Sequence, residues 1–294
     1  MPGLRWTPQG AVTLPETLQI RIEPVFTRRI AAGAPSPGRS LTLTELRDNL
    51  SYFVSTGPRG RPVDALVLSG LGPSLDPIGP IVREARDRSV RRVVAHVDGT
   101  QVGAVQASSL APVLDVLVVA VRTPDELESL GAPTSGARLD VVVPLEPGVL
   151  PHLVALAAVA ERLLVPRITF TWPFPGGAEP AAATDAAAAI ASAAAALGRV
   201  EWTVKGLPPC LVGEVLGTER VSRSANRWYV DADHQRERAL LFFPDVVRYA
   251  KREVCRFCTA DVRCDGVADR WLREGRVPEF HPRGDVAAPD PDPR

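Results

Sequence analysis

The chain alternates short apolar runs with segments whose apolar residues recur at helical spacing. Runs rich in Val, Ile and Leu are typical of buried strands, and the helical spacing indicates amphipathic helices between them. The predicted strands read TLQIRIEPV, DALVLSG, RRVVAHV, LDVLVVAV, LDVVVPL, RITFTW and VEWTV. The first predicted helix, SLTLTELRDNLSYFV, has Thr42 or Thr44 as its candidate N-cap.

This alternation predicts an α/β fold. Apolar strands separated by helices indicate a parallel sheet that is covered on both faces. Six or so such units fit a partial (β/α)6 TIM-type barrel, and they also fit a doubly wound open sheet. Periodicity alone does not choose between them. In either fold, the working surface is expected at the carboxyl ends of the strands.

The pattern changes after about residue 204. We therefore expect a β/α body over residues 1–204, a small cysteine-bearing cap over 205–282 and a disordered tail over 283–294, which is rich in Pro and Asp. The cap sequence DADHQRERALLFFPDVVRYAKREVC predicts one or two helices, with Asp231 or Asp233 as a helix cap.

Charge and hydropathy exclude several partners. Lys and Arg together number 34 and so do Asp and Glu, which gives a formal net charge of +0. A balanced charge removes the electrostatic argument for binding nucleic acid or an anionic membrane. The first residues lack a secretory pattern, and the apolar runs are shorter than a membrane span. We expect a cytoplasmic protein without nucleic-acid or membrane partners.

The chain has four cysteines, and three of them, Cys255, Cys258 and Cys264, fall in VCRFCTADVRCDG. Cys210 lies in a loop rich in Pro and Gly. In a cytoplasmic protein, such clustering favours a metal over disulfides. Four thiolates satisfy one Zn²⁺ ion or one [4Fe-4S] cluster, and the spacing does not separate them. A redox dithiol at Cys255 and Cys258 leaves the other two cysteines unexplained.

The cap segments LPPCLVGE, DADHQRERALLFFPDVVRYAK and CRFCTADVRCDGVADRWLREG resemble the C-terminal part of radical SAM enzymes whose cysteines bind an auxiliary iron–sulfur cluster. The segment DALVLSGLGPSLDPIGPIVREARDRSVRRVVAHVDGT is similar to that superfamily's second strand, its Gly-Gly-Glu-Pro segment and the helix and strand that follow. The resemblance implies a partial (β/α)6 barrel, and it implies a [4Fe-4S] cluster rather than zinc at the four cysteines.

Two parts of the superfamily's SAM site are missing. The loop EPVFTRRIAAGAPSPGRS has no cysteine where the superfamily has C-x3-C-x2-C, and its ionisable groups include Arg28, Arg29 and Arg39. The segment at the Gly-Gly-Glu-Pro position reads GLGP, so its Glu position is occupied by Gly72. A glycine has no side chain to accept a hydrogen bond.

The resemblance therefore implies that Gly70, Gly72 and Pro73 form a degenerate SAM-binding segment that is inactive, and we do not expect SAM as a cofactor. The expected function is that of a binding or electron-transfer partner that carries one [4Fe-4S] cluster and does not cleave SAM by itself. Its expected partner is a true radical SAM enzyme or a peptide substrate.

Two alternatives stay open. The first is an enzyme with a repurposed site in the barrel mouth, built around His96, Asp98 or the Arg-bearing loop. The second is a structural module held together by zinc. Trp172, which ends the sixth strand, is expected either at the mouth of a pocket or in the core.

Overall fold

A computed structural model describes residues 4–6, 16–23, 39–72, 75–130, 136–173, 178–213, 218–219, 227–241 and 249–277. The strands in these ranges are β1 (Leu4–Trp6), β2 (Thr17–Arg21), β3 (Ala65–Ser69), β4 (Arg92–Asp98), β5 (Val116–Ala120), β6 (Arg138–Pro144), β7 (Arg167–Thr171), β8 (Glu201–Lys205), β9 (Thr218–Glu219), β10 (Trp228–Val230), β11 (Leu240–Leu241), β12 (Tyr249–Arg252) and β13 (Val267–Ala268). The helices are α1 (Leu43–Ser55), α2 (Ile78–Arg88), α3 (Val102–Ala107), α4 (Pro124–Ser129), α5 (Leu153–Arg162), α6 (Ala183–Ala194), α7 (Pro209–Val212) and α8 (Asp269–Arg273).

The main sheet has ten strands in the order β11-β10-β2-β3-β4-β5-β6-β7-β8-β9. Strands β2 to β10 are parallel, and β11 pairs antiparallel with β10. The predicted parallel α/β fold is therefore confirmed. The order is sequential from β2 to β9, without the reversal that a doubly wound sheet requires. In the described part of the chain the sheet is open, with β11 and β9 at its edges.

Local sequence signals account for the first helix. The Thr42 side chain accepts a hydrogen bond from the Glu45 backbone N–H (3.2 Å), and the Glu45 carboxylate accepts one from the Thr42 backbone N–H (2.9 Å). This capping box selects Thr42 from the two candidate N-caps. The helix then buries Leu50 and Phe53 against the sheet side of the core.

The two faces of the main sheet differ in chemistry. Leu66 and Leu68 of β3 belong to the main core that the helices cover, and both are fully buried. The residues that alternate with these along each strand lie on the other face. The parallel registers place them side by side, pairing Tyr229 with Gln19 and Gln19 with Val67. We call this second face the polar face. Its members include Gln19, Arg21, Ser69, His96, Asp140, Thr169, Thr203, Lys205, Arg227 and Tyr229. On this face, polar residues interrupt the apolar runs from which a sheet covered on both faces was predicted.

The C-terminal segment adds a small sheet, in which β12 pairs antiparallel with β1 and with β13. The helix predicted for this segment was wrong at Tyr249–Arg252, because these residues pair with the remote strand β1. Tertiary pairing overrides local propensity here. Residues 231–241 hold a short 3-10 turn and β11, and 242–248 lie outside the described residues.

Trp172 lies in the core and not at a pocket mouth. Its side chain is 1% exposed, and its indole N–H donates to the Ala181 carbonyl (3.0 Å). The ring of Trp271 from α8 packs edge-on against it with the centroids 6.0 Å apart. The Trp271 indole N–H also donates to the Pro173 carbonyl (3.1 Å), so α8 is anchored on the end of β7.

The main sheet takes β9, β10 and β11 from beyond residue 204, and the domain limits 1–204, 205–282 and 283–294 stay predictions. Residues 283–294, whose disorder was predicted, lie outside the described residues. Within the described ranges, every helix is too short or too polar to cross a lipid bilayer.

Candidate functional site

The four cysteines lie around one cavity, which we call the thiol cavity. Its wall includes Cys210, Cys255, Cys258 and Cys264 together with Lys251 and Asp261. The cavity has an empty volume of about 360 Å³, part of it open to solvent. All four thiols are partly buried and none forms a disulfide.

Successive tight turns bring three of the thiols to the cavity. The Cys258 N–H donates to the Cys255 carbonyl (3.0 Å), the Asp261 N–H to the Cys258 carbonyl (2.9 Å) and the Cys264 N–H to the Asp261 carbonyl (3.4 Å). Side chains three residues apart are eclipsed in 3-10 geometry, so each turn presents the next side chain on the same side. The five-residue gap before Cys264 therefore contains one additional turn, centred on Asp261.

Cys210 reaches the cavity from a separate segment. It lies in the four-residue helix α7, directly after β8 and the Gly206 turn. Gly206 has φ +92°, and a Cβ at this position would lie 2.7 Å from the Trp172 carbonyl oxygen. The turn therefore needs glycine, and it directs the chain from the sheet to the thiol cavity.

A buried ion pair supports the cysteine loop. Lys251 from β12 is 7% exposed, and its Nζ donates to the Asp261 carbonyl (2.5 Å) and carboxylate (2.8 Å). Sequence reasoning missed both residues. The available signal was the spacing C-x2-C-x2-D-x2-C, which repeats the same turn across the loop.

The backbone also contacts a sulfur directly. The Gly266 N–H donates to the Cys264 Sγ (3.2 Å). Gly266 has φ +79°, and a Cβ there would lie 2.2 Å from the Ala250 carbonyl oxygen. Because both the backbone conformation and the available space require glycine, this N–H is fixed in its position beside the sulfur.

The thiols share one electrostatic environment. Burial raises the pKa of Cys210 to about 12, and Cys264, Cys255 and Cys258 add to the increase. Burial also raises the pKa of Cys264, against the opposing effects of the Gly266 N–H and Lys251. Reactive cysteines have lowered pKa values, so these two thiols do not fit a nucleophilic or redox role on their own.

The donor set suits a soft metal centre, because thiolates are the ligands that zinc and iron–sulfur clusters prefer. Metal binding would have to release the thiol protons that burial retains. Within the described ranges, no group of three or more His, Cys, Asp or Glu side chains is placed so that it could hold a metal ion.

The carboxylate of Glu23 lies beside Gly72, in the segment for which a degenerate SAM-binding role was expected. A Cβ built on Gly72 would lie 1.9 Å from the Glu23 Oε1, so the Glu23 carboxylate fills the space beside this glycine. Gly70 has φ +60°, and a Cβ there would lie 2.5 Å from the Glu23 carbonyl oxygen. Pro73 lies outside the described residues. Sequence reasoning had missed Glu23, which directly follows the first strand of the sheet.

Of the three candidate arginines in the loop before α1, the structure describes only Arg39. Arg39 donates to both carboxylate oxygens of Glu45 (2.8 and 2.7 Å) and to the Ala232 carbonyl (2.8 Å). It therefore ties the capping box of α1 to the segment after β10, and it lowers the pKa of Glu45 strongly. Arg28 and Arg29 lie outside the described residues.

The polar candidates near the strand ends also have local roles. Asp98 caps a 3-10 turn, with its carboxylate accepting from the Thr100 N–H (3.0 Å) and hydroxyl (2.5 Å). Asp231 accepts from the N–H groups of Asp233 and His234 (both 2.9 Å) and contacts the His234 Nδ1 (2.9 Å). The expected helix cap was wrong for the described residues, because Asp231 closes an Asx-type turn and the segment from there to Leu241 holds only a short 3-10 turn and a strand.

His96 belongs to the polar face. The residue is exposed at the surface, while surrounding protein atoms desolvate the ring and lower its pKa to about 4, with Arg227 and Lys205 adding to the decrease.

We compared the chain with protein-family models and with curated proteins. No family model matches it, and no curated protein has significant sequence similarity to it.

Proposed function

We propose that Cys210, Cys255, Cys258 and Cys264 together hold one [4Fe-4S] cluster. The observation that carries this proposal is that thiols from two separate segments line one cavity. Four thiolates match the ligand requirement of such a cluster. A bound cluster supplies one-electron transfer, while the chain contributes the ligands, the buried Lys251 and the Gly266 N–H beside Cys264.

Zinc and a [4Fe-4S] cluster both take four thiolates, so the four cysteines suit either one. The resemblance of the cap segments to the auxiliary-cluster part of radical SAM enzymes favours the cluster.

We also infer that the main sheet is a partial (β/α)6 barrel. The sequential strand order supports this inference, since each crossover moves in the same direction.

In this proposal the protein is a degenerate relative of radical SAM enzymes that does not cleave SAM by itself. The loop between β2 and α1 supplies no cysteine, and four protein thiolates leave no iron open to SAM. The protein serves as an electron-transfer or binding partner of a radical SAM enzyme or its peptide substrate. Phe257 and Val262, which are 38% and 80% exposed, lie within the cysteine loop and offer apolar contact to such a partner.

Substitution of Cys210 tests the proposal most sharply, because Cys210 comes from a separate segment. After anaerobic reconstitution with iron and sulfide, wild type and the control Val262→Ser are expected to show the same broad visible absorption. The same treatment of Cys210→Ser is expected to give a labile cluster with markedly less iron. If Cys210→Ser retains iron as well as the control does, Cys210 is not a ligand and the four-thiolate site is wrong.

A further inference from the structure

We propose that Lys251 is an internal counter-charge of the thiol cavity, which raises the reduction potential of the cluster, and that the carboxylate of its partner Asp261 lowers that potential. The inference rests on the proposed four-thiolate cluster. It names the two residues that regulate how readily this site accepts an electron.

Lys251 is a cation that folding removes from solvent beside the thiols. It lies on β12 in the wall of the thiol cavity, and its side chain is 9% exposed. The other charged residues that are buried in the described ranges are Asp140, Asp265 and Asp269, all of them acids. Burying a charge is costly, and pairing offsets that cost only in part. A role in the chemistry of the cavity accounts for a lysine at this position.

The side chain of Lys251 contacts the backbone on both sides of Cys264. Its Nζ donates to the Asp261 carbonyl (2.5 Å), which also accepts from the Cys264 N–H (3.4 Å). On the other side, a Cβ built on Gly266 would lie 2.9 Å from the Lys251 Cγ. The Gly266 N–H in turn donates to the Cys264 Sγ (3.2 Å). Lys251 is therefore one contact away from two groups that bond directly to Cys264.

The charge of Lys251 acts on the same sulfur. Burial raises the pKa of Cys264, the Gly266 N–H and Lys251 oppose this increase, and Asp265 adds to it. Lys251 thus favours the thiolate, which is the form that binds a metal.

This effect extends to electron transfer. Ligation requires thiolates, whose negative charges the metal offsets only in part, and reduction by one electron adds a further negative charge. The potential of such a site depends on its net charge, its solvent exposure and the hydrogen bonds to its sulfurs. A nearby cation attracts the more negative, reduced form more strongly, so Lys251 raises the potential.

Asp261 has the opposite charge in the same wall. Its carboxylate accepts from the Lys251 Nζ (2.8 Å) and its side chain is 26% exposed. Removal of either side chain breaks the same ion pair, but the two removals change the local charge in opposite directions. The pair therefore separates an electrostatic effect from a structural one.

The test is a potentiometric titration of the full chain after anaerobic reconstitution with iron and sulfide, with dithionite as the electron donor and visible absorption as the signal. In Lys251→Gln we expect the equilibrium constant for one-electron reduction to fall at least about threefold. In Asp261→Asn it should rise. Lys251→Arg keeps the charge and should stay close to wild type. The control Arg256→Gln breaks an exposed pair with Glu253 (3.0 Å) in the same loop and should cause no shift.

Shifts of the same sign in Lys251→Gln and Asp261→Asn would mean that the pair acts only through the structure, and they would overturn the inference. Unshifted potentials in both variants would do the same. Iron and sulfide contents separate this failure from that of the proposed function. A wild type that takes up no cluster rejects both, whereas a fully loaded wild type with unshifted variants rejects the inference alone. If Lys251→Gln does not fold, Asp261→Asn decides, since its potential must rise.

Discussion

The Glu23 carboxylate lies where a side chain on residue 72 would begin, with its Oε1 only 1.9 Å from a Cβ built on Gly72. Glu23 follows β2 and Gly72 follows β3, so the two residues lie at the carboxyl ends of neighbouring strands. Because glycine has no side chain, it leaves space for the glutamate. The Glu23 carboxylate thus fills the space that a side chain on residue 72 would need.

This contact predicts that the effects of substituting Gly72 and Glu23 on the free energy of unfolding are coupled. Gly72→Ala is expected to destabilise the fold by about 1 kcal/mol, because the new methyl group must displace the Glu23 side chain. In the Glu23→Ala background the same substitution should cost close to nothing. Urea unfolding of the four proteins gives the coupling energy. Equal costs of Gly72→Ala in both backgrounds would show that the two side chains do not compete for this space.

We predict that the reconstituted protein does not cleave SAM. With SAM and dithionite, 5′-deoxyadenosine should stay at the level of a control without protein, and calorimetry should detect no SAM binding. Gly72→Glu should not restore activity, because the loop between β2 and α1 still has no cysteine and Glu23 already fills the space. Formation of 5′-deoxyadenosine that is lost in Cys258→Ala would mean that the cap cluster binds SAM.

Lys251 should support the thiol cavity through Asp261. Lys251→Gln leaves a partly buried carboxylate without its 2.8 Å ion pair, so we expect a loss of about 2 kcal/mol in the free energy of unfolding. The matched control is Arg256→Gln in the same loop, whose 3.0 Å pair with Glu253 is about half exposed. The control should change stability by less than about 0.5 kcal/mol. Similar losses in both variants would show that the Lys251 pair has no special role.

The lowered pKa of His96 predicts a dependence of stability on pH. The folded protein protonates His96 near pH 4 and the unfolded chain protonates it near its ordinary value of 6.5. Between these values the unfolded state binds more protons, so stability should fall as the pH decreases from 6.5 to 4. Urea midpoints of wild type and His96→Gln should therefore diverge between pH 7 and pH 5, with wild type losing more. Parallel midpoints would show that His96 titrates normally.

The strands and helices of the β/α body follow from local patterns, and the Thr42 capping box can be identified in the sequence. What local patterns could not give depends on contacts between remote residues. Strand β12 forms because Leu4–Trp6 pairs with it from the other end of the chain. Its isolated sequence, with apolar residues at helical spacing around it, favoured a helix.

The candidate metal centre was predictable in part. The cysteine types and their spacing indicated a common centre, and the four side chains do line one cavity. Lys251 and Asp261 were missed because their pairing needs the turn at Asp261 to bring the loop back to β12. The polar face was missed because assigning each strand residue to a face requires the register between strands.

The metal and sulfide content of protein purified without oxygen tests the central claim most directly. If the four cysteines hold one [4Fe-4S] cluster, the protein should be brown and contain about four irons and four acid-labile sulfides per chain, with zinc far below one equivalent. Cys258→Ala should lose this iron while the β/α body stays folded. A colourless protein with one zinc per chain, or a chain that binds neither metal, would contradict the account.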